Sequence, residues 1–287
     1  MDVRVRFTKY GPIKYVGHLD LMRYFQKALR RSGLPLSFTK GFSPHPILSF
    51  ASPLGVGITS EGEYMDFSLD EEVPLSEIRA KLNAEEAYGV EILSVTERKS
   101  TKKAMAELAA ASYLVYFKKN IHLENDTKSN DLNENSFKDS LDVNEHSFFS
   151  EKGNSDCNEV SAEILRSLVD KKITNASSLV VTKKTKKSER QVDLLPLIYE
   201  IEVLDSFPSD KRDHYIPDWE QNGFLLSESD PSIYMKVCAR SSDNLKPELL
   251  MEALSGIPFD STTLGVHRLD MYAENEAGEL IPLGEAE

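Results

Sequence analysis

MDVRVRFTKYGPIKYVGHLDLMRYFQKALRRSGLPL (residues 1–36) opens on a strict alternation and then changes period. Val3, Val5 and Phe7 fall on one side, and Arg4, Arg6 and Thr8 on the other, which is the period-two pattern of a half-buried strand. A Gly-Pro turn and a short connection follow. Residues 19–32 then take the helical period. Met22, Phe25 and Leu29 share a face, flanked by Leu21 and Ala28, while Arg23, Lys27, Arg30 and Arg31 recur three and four apart on the other side. Gly33 stops the helix and Pro35 follows it.

Outward from this unit, residues 46–52 and 62–70 read as strands joined through the Gly-rich PLGVGITS, 74–83 as a short helix, and 89–97 as a further strand. The order β-α-β-β-α-β is the split βαβ unit of ferredoxin-like folds. The remainder repeats it loosely. Strands are expected at 113–119, at 178–184 with 198–204 beside it, at 233–241 and at 265–273, and helices at 160–172 and 247–256. The expected fold class is therefore α+β, with two tandem ferredoxin-like (βαββαβ) domains over residues 1–100 and 110–287. Residues 120–158 are rich in Asn, Asp, Ser and Glu and lack any periodicity. They hold too little apolar surface to offset the entropy of ordering, so they are expected to be a disordered acidic insertion in the second domain.

Charge is segregated along the chain. Residues 1–60 carry nine Lys and Arg against two acids, a net of +7, on a chain of net −13, which leaves −20 for residues 61–287. A positive block on an acidic protein marks a place where something anionic docks. The basic helix, extended by Arg4 and Arg6 on the outer face of the first strand, is the candidate for that role. No apolar run approaches the roughly 20 residues needed to span a bilayer, so a cytoplasmic protein without membrane contact is expected. The two cysteines, Cys157 and Cys238, lack zinc spacing and are too few for a cubane iron–sulfur cluster.

Two short motifs flank the helix. Gly17-His18-Leu19-Asp20 lies where the first helical N–H groups need acceptors, so Asp20 suits a capping and dipole role as well as a site role. Lys40-Gly41-Phe42-Ser43-Pro44-His45-Pro46 is a long connection stiffened by two prolines; Gly41 admits a positive φ and Phe42 offers a ring on which a base can stack. His18, Asp20 and His45 are the candidate catalytic residues. The candidate substrate-binding residues are Arg4, Arg6, Arg23, Lys27, Arg30, Arg31, Lys40, Gly41, Phe42, Ser43, His45, Glu63 and Tyr64. His18, Asp20, His45 and Glu63 also make an acid–base or metal-ligand set only if the fold gathers them; no metal is expected. Walker, GxGxxG, HExxH and GxSxG motifs are absent, and a lone Tyr64 on an outer strand face is no RRM platform.

The HLDLMR, KALRRSGLPL, GFSPHP and SEGEYMDF stretches, all within residues 11–69, resemble the bacterial radical-SAM-associated domain of unknown function. Gly17 and Ser43 stand where that family's pattern has Ser and Asn. The resemblance implies a protein found beside, or fused to, a radical SAM enzyme. The iron–sulfur cluster and S-adenosylmethionine would then belong to that partner, with no cofactor on this chain. The expected role is an accessory subunit that binds RNA or another anionic substrate. Two alternatives stand beside it: a docking module for the radical SAM protein without nucleic acid, and a metal-independent RNA endonuclease. The second rests on similarity of architecture to the tandem ferredoxin-like CRISPR repeat-processing endonucleases, and fold alone does not fix function.

Overall fold

The computed structural model describes residues 1–100, 102–118, 160–184, 189–216, 230–259 and 263–286. The segment 120–158, expected as an acidic insertion, lies outside the described residues. The first hundred residues form β1 (Asp2–Lys9), α1 (His18–Arg31), β2 (Leu48–Phe50), β3 (Thr59–Ser68), α2 (Leu75–Asn83) and β4 (Ile92–Glu97). The rest forms α3 (Ala104–Glu107), β5 (Leu108–Phe117), α4 (Ala162–Val169), β6 (Val180–Lys184), β7 (Glu189–Asp193), β8 (Ile198–Leu204), α5 (Ser209–Tyr215), β9 (Ser232–Cys238), α6 (Pro247–Ser255), β10 (Leu264–Glu274) and β11 (Leu280–Pro282).

Helices pack on one large mixed sheet, in keeping with the α+β class. Its nine strands run β4-β1-β3-β10-β5-β9-β8, with β2 beside β3 and β11 beside β10, while β6 and β7 form a separate hairpin. The two halves of the chain meet where β3 lies parallel to β10, through His267 opposite Thr59 and Arg268 opposite Ser60. The backbones approach closely there: a Cβ on Gly62 would fall 2.5 Å from the Asp270 Cα and the Leu269 carbonyl oxygen.

Each half has its own apolar core. Val3, Val5 and Phe7 of β1 and Met65 and Phe67 of β3 face Phe25 and Leu29 of α1 and Ile78 and Leu82 of α2. In the second half Val115, Ile233, Met235, Val237 and Val266 pack with Leu165 of α4 and Leu250 and Leu254 of α6. The alternate residues Leu114 and Tyr116 of β5 meet Phe207 and Ile216, which flank α5. At roughly 1.5–3 kcal/mol per fully buried large apolar side chain, these contacts dominate the stabilisation.

Three expectations need correction. Residues 198–204 do not pair with 178–184; β8 lies on β9, and the partner of β6 is β7, which the sequence reading omitted. Strand β5 begins at Leu108 rather than at residue 113. Strand β3 starts at Thr59, inside the stretch read as a Gly-rich connection.

Candidate functional site

Helix α1 starts from Gly17, whose carbonyl accepts from the Asp20 and Leu21 N–H groups, with no side-chain cap. Leu21, Phe25, Ala28 and Leu29 bury one face, which turns Arg23, Lys27, Arg30 and Arg31 to solvent. Ser32 closes the helix by donating from Oγ to the Leu29 carbonyl at 2.7 Å. Arg30 and Arg31 lie in the last turn, where the helix dipole favours cations.

These cations are not equivalent. Arg23 pairs with Asp20 at 2.9 Å, both exposed, an i,i+3 contact worth about 0.3–0.5 kcal/mol. Arg31 is held by Glu85, with Nε to the carboxylate at 2.7 Å and Nη2 to the carbonyl at 3.1 Å. Arg30 donates from Nη2 to the Pro44 carbonyl at 3.1 Å, and its guanidinium lies 6.0 Å from the Phe38 ring centroid. Lys27 and Lys40 are exposed and have no ion-pair partner among the described residues.

The segment after the helix is a closed hairpin. The Thr39 N–H donates to the His45 carbonyl at 2.9 Å, the His45 N–H to Thr39 Oγ1 at 3.2 Å, and the Ile47 N–H to the Ser37 carbonyl at 2.9 Å. Phe38 and Pro46 form a bridge between the two arms. Gly41 takes φ 125°, a region that favours glycine, and lets the chain turn at the tip. Phe42 sits at that tip, 111 % exposed, so nothing among the described residues covers the ring.

The acid–base set is not gathered. His18 stands edge-on to Phe50 at 5.4 Å, Asp20 is engaged by Arg23, and His45 Nδ1 lies 3.2 Å from the Pro46 carbonyl. Glu63 is buried and accepts from Arg268 at 3.0 Å. No group of three or more His, Cys, Asp or Glu among the described residues is arranged to hold a metal ion.

Arg4 and Arg6 do not extend the surface patch. Arg4 is 2 % exposed and reaches Asp66 at 2.8 Å, Glu107 at 2.7 Å and the Leu283 carbonyl at 2.9 Å. Arg6 donates to the Glu61 and Leu269 carbonyls, both at 3.0 Å, with Asp270 at 3.4 Å. Tyr64 is buried as well and donates to Asp270 at 2.6 Å. These residues belong to a polar layer at the β3–β10 junction that the sequence reading missed. Glu61 with Lys211, and Thr59 with His267 2.9 Å apart, complete it. The alternation in β1 did show that Arg4 and Arg6 share a face; their acceptors lie up to 279 residues away, so no local signal names them.

A comparison with curated proteins gives no match. The profile of a bacterial family matches residues 3–247, a span that takes in α1, the hairpin and strands β1 to β9. The chain thus belongs to the family described as uncharacterized protein conserved in bacteria (DUF2344).

Proposed function

We propose that this protein binds RNA, or another anionic polymer, along the outer face of α1 and the hairpin at residues 38–46, as the non-catalytic partner of a radical SAM enzyme. One observation carries the proposal: a cationic stripe, Arg23-Lys27-Arg30, is joined through the Arg30–Pro44 contact to a rigid loop that bears Lys40 and a bare aromatic ring. Along the helix axis Arg23 and Lys27 are about 6 Å apart, close enough to meet neighbouring phosphates of one strand; Lys40 of the loop adds a third cation, and Arg30 ties that loop to the helix.

Resemblance of the HLDLMR and GFSPHP stretches to the radical-SAM-associated domain supports the second part. So does the cysteine count, since two thiolates are too few for a cluster. The radical chemistry would belong to the partner, and this chain would present the substrate in the cytoplasm. In this reading the strand orders β4-β1-β3-β2 and β10-β5-β9-β8 are two tandem ferredoxin-like units placed edge to edge.

The test is RNA binding by fluorescence anisotropy across a salt series. With about three phosphates engaged on a single strand, log K falls with log salt at a slope of about −2. The double variant Arg23→Glu, Lys27→Glu abolishes binding while its thermal unfolding stays within a few degrees of wild type. Binding that ignores salt, or survives in the double variant, overturns the proposal. Copurification with the radical SAM protein, retained after nuclease treatment, checks the partner.

A further inference from the structure

The hairpin carries more information than a charge count. Of the cations on this surface, Arg30 and Arg31 are already committed to a carbonyl of the loop and to Glu85. Lys27, Lys40 and the weakly paired Arg23 remain for phosphates. Two or three such contacts are few for gripping a duplex, whose binding depends on neutralising many phosphates. The remaining feature is Phe42. It is fully exposed, yet it sits on a backbone closed by three hydrogen bonds and stiffened by Pro44 and Pro46. The backbone that carries the ring is thus ordered in advance, which lowers the cost of ordering the loop on binding. No acid occurs between Lys40 and Pro46, so the loop itself carries no carboxylate to repel a polyanion. On a protein of net −13, that local charge favours an anionic partner over an apolar one, and the exposed ring favours a partner with a π-face to stack on it, as a nucleic-acid base has.

Resting on the RNA-binding reading above, we propose that this surface selects an unpaired nucleic-acid strand, with one base stacked on Phe42 and the flanking phosphates on Lys27 and Lys40. Arg30 is a positioning residue: it fixes the hairpin against α1 and does not contact phosphate. In a duplex the base faces are already stacked on one another, so Phe42 gains nothing there.

The experiment uses the full chain and fluorescein-labelled oligouridylate, the same length of oligothymidylate, and a blunt RNA duplex. Wild type is expected to prefer a single strand over the duplex, and the two single-strand arms identify whether RNA or DNA is held. Phe42→Ala loses about 5- to 150-fold in single-strand affinity with an unchanged salt slope, because it removes a stacked base and no phosphate contact. Phe42→Trp retains binding. Lys27→Gln reduces the slope by about 0.7. Arg30→Gln weakens binding with the slope intact.

Equal affinity for duplex and single strand, with Phe42→Ala at wild-type affinity, overturns the stacking while salt-dependent RNA binding still stands. No binding of any oligonucleotide by wild type overturns both. Loss of a nuclease-resistant protein partner in Phe42→Ala, with oligonucleotide binding unaffected, assigns the ring to protein docking and also overturns the proposal. A slope reduced by Arg30→Gln makes Arg30 a phosphate ligand instead and overturns its positioning role.

Discussion

His267 places Nδ1 2.9 Å from Thr59 Oγ1, stacks on Tyr215 at 4.7 Å, and leaves Nε2 without a partner among the described residues. Burial, with Lys211 nearby, drives its pKa down to about 3 from 6.5. Between those values the unfolded chain takes up a proton that the folded chain refuses, so stability falls as pH drops through the window, by up to about 1.4 kcal/mol per unit. Glu86 works in the opposite sense. Its carboxyl is partly buried against the Tyr24 hydroxyl, with Oε1 unpartnered among the described residues, and burial pushes it up to about 7 from 4.5. Here the folded chain holds the extra proton, and stability falls as pH rises from 4.5 to 7. The two contributions oppose each other where the windows overlap, between pH 4.5 and 6.5, so the wild-type slope does not separate them. Urea unfolding of single variants separates them. Relative to wild type, Glu86→Gln gains stability as pH rises from 4.5 to 7, and His267→Gln gains it as pH falls from 6.5 to 3. Differences that stay flat with pH would mean that neither group titrates as its burial requires.

Helix α1 was legible in the sequence because its period, its cations and its Gly33 stop all agree, and the structure has it at His18–Arg31. The extra length of β5 was not. Leu108-Ala-Ala-Ala-Ser favours helix by propensity, yet all ten residues of β5 are buried between β9 and β10, and tertiary pairing overrides the alanines. The hairpin at 38–46 was visible as a stiff loop, whereas its closure depends on Thr39 meeting His45 and on Arg30 meeting Pro44, contacts that spacing does not announce. The start of β3 was hidden for a related reason. Thr59 and Ser60 look like a connection until β10 lies alongside, and Gly62 beyond them is then the point where no side chain fits. Gly62→Ala places a methyl 2.5 Å from the Asp270 backbone, and backbone cannot swing aside as a side chain end can. The variant should lose on the order of 1–3 kcal/mol as an overpacked core site does, and its amide exchange should accelerate along Thr59–Glu63 and Arg268–Asp270. Exchange that accelerates at α6 instead would place the strain elsewhere.

Charge segregation in the sequence turns out to have two separate causes. Five of the nine cations in residues 1–60 face solvent on α1 and the hairpin, while Arg4, Arg6, Lys9 and Lys14 point into the protein or its half-buried junction. The inward group is balanced from the acidic remainder of the chain: Arg4 takes Asp66 and Glu107, and Arg6 takes Asp270. From the other side Arg268 and Lys211 answer Glu63 and Glu61. Since β3 and β10 are paired through two residue pairs among the described residues, side chains rather than the backbone ladder hold the halves in register. Such a joint is sensitive to losing one partner and tolerant of losing both, because an unpaired buried charge costs more than an absent pair. Arg268→Met should therefore destabilise the protein by about 3–5 kcal/mol, leaving the Glu63 carboxylate, 3 % exposed, without its guanidinium. Adding Glu63→Leu to Arg268→Met should recover much of that loss, even though the double variant is further from the native sequence. Equilibrium unfolding of the two single variants and the double measures the coupling. Losses that simply add would mean that the pair is a bystander, and that the apolar cores align the two halves unaided.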